Sequence, residues 1–391
     1  MTDPVGFVSH RRSYVLLFSF LLIHAVPACS PDQPSGADRP SFQASSTGIR
    51  VFHGGLAHRG FYPSPSIRTL PRVSWKAGPG PPIHASPVLD DDHVYAADFE
   101  GRIFCLNRGT GTVRWRVRTG DVVTATPALA GPLLVAGSGD GSVYGLKRSN
   151  GRAFWTTRLD GAVRSSPVVS DGYVYTADTG GRIYALDLKT GQPVWERDTG
   201  ASVWTSPAVV DGRLYAGNDD GRLFALRASN GSVIWSADVS ESRLFASPVV
   251  TPNGRVAVAD LTGRVFLFSR TGEPLWTVRT DGPIWATPAL HDGTLYLASY
   301  DENVYALDAR DGARLWKTDL GSRIYTSPAL TRDTLYTGTY DGSLYALNRE
   351  DGGVLWQFST DGKKRFASSP VLNGGRLWVG NDDGHVYSFE R

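Results

Sequence analysis

A fixed repeat governs most of this sequence. A Ser or Thr followed by Pro recurs at Pro87, Pro127, Pro167, Pro207, Pro248, Pro288, Pro328 and Pro370, at spacings of 40 to 42 residues. Tryptophan keeps the same beat at Trp75, Trp115, Trp155, Trp195, Trp235, Trp276, Trp316 and Trp356. A period of this size marks units that cannot bury an apolar face alone and must pack on their neighbours, so it decides the architecture before any local assignment. Both series count eight, and residues 71–391 hold eight such units.

Within one unit, residues 166–195, the runs SPVV, YVYTA, RIYALD and VW are separated by DG, DTGG and LKTGQP. Short alternating runs bounded by turn dipeptides predict strands joined by hairpins, and no segment after residue 48 keeps a helical period. Four strands per unit, called A to D from the SPVV strand outward, predict an all-β chain folded as an eight-bladed β-propeller of four-stranded blades. Proline at the head of strand A suits an inner edge, where a missing N–H removes no ladder bond. The tryptophan on strand D can fill the gap between blades. Ten residues before it stands a small residue in most units, Cys105, Gly145, Ala185, Ala225, Ala306 and Ala346. The fifth unit has Leu267 there and is one residue shorter before Trp276, so that blade is expected to be the least regular. The sequence around Trp75 reads as a lone D strand and the last residues as a C strand without a D. The N-terminal strand is therefore expected to complete the last blade and close the ring.

The segment before the repeats divides in three. Arg11 and Arg12, an apolar run over residues 14–23 and then Ala25-Val26-Pro27-Ala28-Cys29 follow the pattern of an export signal, predicted over residues 1–28. The apolar run is shorter than the roughly 20 residues a bilayer-spanning helix needs. Val26-Pro27-Ala28-Cys29 resembles a bacterial lipobox, which makes Cys29 the lipidated residue, although Pro27 departs from that pattern. A Pro- and Ser-rich tether is expected over residues 29–48 and a lead-in segment over 49–70. The charge balance, 40 Lys+Arg against 38 Asp+Glu with 41% hydrophobic residues, argues against intrinsic disorder and against a nucleic-acid binder. The two cysteines, Cys29 and Cys105, sit in unlike settings and give no disulfide framework. Cys105 is read as the small residue of the first blade.

Ala185-Leu186-Asp187-Leu188-Lys189-Thr190-Gly191-Gln192-Pro193-Val194-Trp195 resembles the AxDxxTGxxxW tryptophan-docking pattern of the pyrroloquinoline quinone (PQQ)-like propellers. Weaker copies end at the other repeat tryptophans, and Phe52-His53-Gly54-Gly55 with His58 and Gly60 resembles a lead-in common in that family. Two branches follow from the resemblance. The quinoprotein dehydrogenases would imply PQQ with calcium, an adjacent cysteine pair, a carboxylate base and a longer chain; this sequence has no Cys-Cys and no catalytic insertion between its repeats. The outer-membrane assembly lipoproteins of the BamB type would imply a non-catalytic propeller that binds partner proteins. Signal, anchor cysteine, tether, length and blade number resemble the second branch.

In the expected fold the D-to-A connections and the B-to-C hairpins share one face. Three residues before each proline the series runs His84, Thr124, Arg164, Trp204, Phe245, Trp285 and Tyr325, then Phe366 displaced by one. Five before, the same half carries Arg243, Arg323 and Arg365. Aromatics with interleaved arginines dominate interface hot spots, so this crescent, with Arg164, is the candidate partner or ligand face. The same residues could equally cover the seams between blades. Arg243-Leu244 resembles, in reversed order, the leucine and arginine with which BamB grips the barrel-forming subunit. Asp140, Asp219, Asp220, Asp260, Asp301, Asp341, Asp382 and Asp383 on the hairpins read first as turn formers, and the eight hydroxyls before proline as backbone partners. No catalytic or metal-ligating motif stands out. The expected protein is an exported outer-membrane lipoprotein facing the periplasm, or else periplasmic or at the cell surface. It is expected to be a monomeric, non-catalytic scaffold for envelope proteins, with a barrel-assembly subunit as the specific partner and no cofactor. A PQQ-dependent dehydrogenase or a sugar-binding sensor is the alternative.

Overall fold

The computed structural model describes residues 51–78 and 80–391. The expected signal segment, Cys29 and the tether lie outside the described residues. Among the described residues no helix is long and apolar enough to cross a membrane.

Eight antiparallel four-stranded sheets follow one another along the chain. Blade 3 shows the pattern: A is Val168–Ser170, B Tyr173–Ala177, C Arg182–Asp187 and D Pro193–Asp198. The A strands of neighbouring blades lie next to one another around the axis, and the D strands alternate between exposed and half-buried positions at the rim. The core lies between blades: Val168, Tyr175 and Ile183 of blade 3 pack with Val209, Leu214 and Phe224 of blade 4. Blade 8 is assembled from both ends of the chain, its C strand Val386–Glu390 pairing with Arg72–Ala77 from Arg72↔Glu390 to Ala77↔Val386. Blade 5 is the irregular one, with a B strand of four residues, Val256–Ala259, where the other blades have five.

Each seam is held by an indole. Trp155 pairs across its own sheet with Gly145 and Trp195 with Ala185, so the small residue leaves room for the ring on the same blade. The ring then reaches the next blade, where Nε1–H donates to a C-to-D turn carbonyl: Trp75 to Arg108 at 3.0 Å, Trp115 to Arg148 at 2.7 Å, Trp155 to Leu188 at 2.9 Å, Trp195 to Ala228 at 2.9 Å. Trp276, opposite the bulkier Leu267, makes the longest of the eight bonds, 3.3 Å to Ala309. In seven of the eight seams a turn glycine with positive φ lies beneath the indole, and a Cβ on Gly191 would stand 2.6 Å from the Trp155 ring. No side chain fits there. Trp356 has no eighth C-to-D turn to meet and bonds instead to Ile67 O at 2.7 Å in the lead-in.

A second ring of contacts runs round the axis. The backbone N–H of each residue before proline donates to the hydroxyl of the next blade, from Ser86 to Thr126, Thr126 to Ser166, Ser166 to Ser206 and on through Ser247, Thr287, Ser327 and Ser369. Ser369 N–H closes the circuit on Ser86 Oγ at 3.0 Å. The hydroxyls thus bond backbone, as the sequence implies, but in the neighbouring blade.

The lead-in straps across the inner strands. Carbonyls of Leu56, Ala57, Arg59 and Gly60 accept from Val209, Val250, Leu290 and Leu330 N–H, which face the axis with no further strand to pair with. His53 Nε2 donates to Pro288 O at 3.0 Å and His58 Nδ1 to Pro248 O at 3.2 Å. Both imidazoles are buried. Burial pushes His53 down to about 4 and His58 down to about 3, the latter aided by the neighbouring His53.

Three outcomes follow. Deleting residues 71–77 removes the strand that completes blade 8, so the cooperative melt of the whole propeller should be lost in circular dichroism. Gly191→Ala forces a methyl group into the Trp155 ring at positive φ and should cost about 2–4 kcal/mol in denaturant unfolding, combining overpacking with left-handed strain. The unfolded chain takes up protons on its histidines near pH 6.5 while folded His53 and His58 stay neutral down to about 4 and 3. Stability should therefore fall between pH 7 and 5.5, with a shallower slope in His58→Gln; identical slopes would contradict the buried neutral pair.

Candidate binding face at the channel mouth

The D-to-A connections and B-to-C hairpins meet at one end of the channel, as Thr199 N–H to Gly181 O at 2.9 Å illustrates in blade 3. Each connection alternates just before its proline. Four residues before it, Ile83, Val123, Val163, Val203, Leu244, Ile284, Ile324 and Phe366 are wholly buried in the seams. Three before it, His84, Thr124, Arg164, Trp204, Phe245, Trp285 and Tyr325 are half-buried. Leu244 and Phe366, read from sequence as part of the face, are therefore seam residues. The two extra residues of the last repeat lie upstream, so Phe366 matches Ile324, and Ala367 matches Tyr325.

From blade 4 to blade 7 the half-buried positions form a continuous aromatic run. Trp204 stacks on Phe245 with ring centroids 5.5 Å apart, Phe245 meets Trp285 edge-on at 4.7 Å, and Trp285 lies 6.2 Å from Tyr325. The hairpins add Tyr300, 5.9 Å from Trp285, and Tyr340, whose hydroxyl is 2.8 Å from that of Tyr300. Edge-on and offset contacts of this kind fix the rings relative to one another without closing off their outer surface.

Arginines rim this run in different ways. Arg365 is committed: Nε bonds Asp382 at 2.5 Å, one terminal nitrogen bonds the Tyr340 hydroxyl at 2.7 Å, the other is 3.0 Å from His84 Nε2, and the guanidinium lies 4.8 Å over the Tyr340 ring. His84 is also 2.8 Å from Asp382. Burial alone would raise the Asp382 carboxyl; hydrogen bonds and charge from His84 and Arg365 outweigh it and hold the group below the usual carboxylate range. Arg323 is exposed over Tyr300 at 5.8 Å, and Arg243, with 62% of its side chain exposed, reaches only to 3.8 Å from Asp219. Burial raises the Asp219 carboxyl against the pull of Arg243. Arg164 lies beside the Gly139 turn, where a Cβ would stand 3.2 Å from its guanidinium, and belongs to the other half of the mouth.

Tyr300, Tyr340 and Asp382 belong to the mouth, yet the sequence reading names Asp382 only as a turn former and does not single out the two tyrosines. Their signal was positional: all three occupy the second residue of a B-to-C hairpin, where other blades place Phe99, Gly139, Thr179, Asp219 and Leu261. The other hairpin aspartates mostly serve their turns, Asp140 accepting from Ser142 N–H at 2.8 Å and Asp301 from Asn303 N–H at 3.0 Å. Among the described residues no three His, Cys, Asp or Glu side chains group closely enough to hold a metal ion. Cys105 is buried in blade 1, and burial pushes its thiol up to about 12.

Comparison with known proteins gives the fold its relatives. BamB from Moraxella catarrhalis superposes with a TM-score of 0.72 at 20% identity, over 82% of this chain and 100% of that one. A europium-containing methanol dehydrogenase gives 0.77 at 14% identity, over 88% and 98%. The computationally designed Ika8 protein gives 0.73 at 18%, over 80% and 98%. At such identities the likeness is one of fold, which hosts an assembly factor, an enzyme and a designed protein alike. No curated protein sequence matches the chain. The family model described as outer membrane protein assembly factor BamB, however, matches residues 68–135, 100–247 and 241–391, and the chain belongs to that family.

Proposed function

We propose that this propeller is a non-catalytic scaffold of the bacterial envelope that binds a partner of the outer-membrane protein assembly machinery through its channel mouth. The observation that carries the reading is the one-sided mouth. Across blades 4 to 7 a run of half-buried aromatic rings is flanked by exposed Arg243 and Arg323, neither consumed by a close ion pair. The packed rings have little side-chain entropy left to lose on binding, and the exposed guanidinium groups beside them are free to pair with a partner's acceptors, the residue types a protein hot spot uses. Membership of the BamB family supports an envelope partner, and the lipobox-like run ending at Cys29 supports a lipid anchor that holds the scaffold at the outer membrane, facing the periplasm. The dehydrogenase alternative shares the fold.

Affinity capture of the full-length protein from mildly solubilised membranes tests this reading against the triple variant Arg243→Ala, Trp285→Ala, Arg323→Ala, with an unchanged melt as the folding control. The parent should recover a barrel-assembly subunit and the variant should lose it. Indistinguishable captures without an envelope partner would overturn the proposal, as would PQQ- and calcium-dependent oxidation of an alcohol or sugar.

A further inference from the structure

The opposite end of the channel, where the A-to-B and C-to-D turns emerge, carries a cavity of about 380 Å³ between blades 5 and 6. The strap supplies one wall through Arg59, blade 5 supplies Thr251, Asn253 and Arg255, and blade 6 supplies Leu290, His291 and Arg310. We propose that this cavity is an oxyanion site that takes a phosphate group between Arg59 and Arg255.

The charge around this cavity is unbalanced. Arg59 is half-buried, with Nε fixed on Val250 O at 2.8 Å, and among the described residues it forms no ion pair. Arg255 is likewise half-buried and in no ion pair among the described residues. Arg310 sits on Asp308 at 2.6 Å. Asp292, with 78% of its side chain exposed, lies 3.1 Å from His291, whose imidazole stacks on Phe61 at 3.7 Å and is held toward its neutral form chiefly by burial, so this one wall carboxylate offsets only one of the two arginines. Burial alone lowers the Arg59 pKa, the mark of a cation removed from water without a carboxylate in return. A guanidinium so placed gains most from an acceptor group of two or more oxygens, because its fork can engage two of them at once. Two unmatched arginines suit a phosphate, singly or doubly charged, better than a single carboxylate. Asn253 adds a side-chain amide: its oxygen already accepts from Thr251 at 2.6 Å, which leaves the amide nitrogen as a donor. Thr251, Pro252, Leu290 and Ala309 give the cavity an apolar side that would shelter the ester-bearing part of such a ligand.

The phosphate could come from a soluble ester or from a lipid headgroup, and the two are separable. Full-length protein carrying Cys29→Ala, to remove any anchoring through that residue, would be titrated calorimetrically with inorganic phosphate and with glycerol 3-phosphate, and sedimented with vesicles of phosphatidylglycerol or of phosphatidylcholine. Saturable binding of phosphate or its ester, weakened about tenfold or more by Arg59→Gln and by Arg255→Gln, is the expected result. Vesicle binding that requires phosphatidylglycerol, falls in both variants and is displaced by glycerol 3-phosphate identifies the headgroup; its absence identifies the soluble ester. Arg255→Gln leaves every strap contact in place, so it reads the site even if Arg59→Gln unfolds. Failure of all probes to bind, or binding unchanged in Arg255→Gln, would overturn the proposal.

Discussion

Every seam of this propeller depends on an indole whose N–H reaches a backbone carbonyl across it, and in seven of the eight the ring lies on a turn glycine of the next blade. The contact sets the distance between blades, because a Cβ on the turn glycine would enter the ring, and it sets the rotation, because the hydrogen bond fixes the depth to which the indole reaches. Eight equal wedges leave no free edge. The final wedge is the informative one: Trp356 finds its carbonyl in Ile67, five residues before the strand that completes blade 8. Closure therefore uses both the pairing of Arg72–Ala77 with Val386–Glu390 and an indole contact across the same junction.

The inner hydroxyl circuit and the outer indoles tie down the two radial limits of each blade, and this is what frees the connections between them. The residue five before each proline serves every blade only through its backbone carbonyl, which accepts from the second hairpin residue, so the side chains three and five before proline can differ, and they do: Thr124 in blade 2, Trp204 in blade 4, Tyr325 in blade 7. The aromatic positions fall in consecutive blades, and ring-to-ring contact converts separate loops into one continuous surface. On the opposite end the strap does the reverse, covering the inner strands and burying two neutral imidazoles in the channel.

The architecture was legible in the sequence because its determinants are local and repeat: proline before strand A, a small residue opposite tryptophan, Asp and Gly in the turns. The mouth was only half legible. A step of one residue separates a seam position from an exposed one, and Leu244 and Phe366 fell on the wrong side of that step. Tyr300 and Tyr340 lie on hairpins rather than connections, and only the ring geometry places them beside Trp285 and Arg365. The strap was recognisable as a family lead-in, but its two histidine bonds span 190 and 235 residues and leave no periodic trace.

The central claim is that one end of the channel, on one side, meets a partner protein. A photo-crosslinking residue placed in living cells at Arg323, at the mouth, or at Asp171, on the opposite turns, tests it without disrupting the fold. The account predicts a discrete adduct with an outer-membrane assembly subunit from position 323 and none from position 171. Equal adducts from both positions, or an adduct from 171 alone, would contradict it.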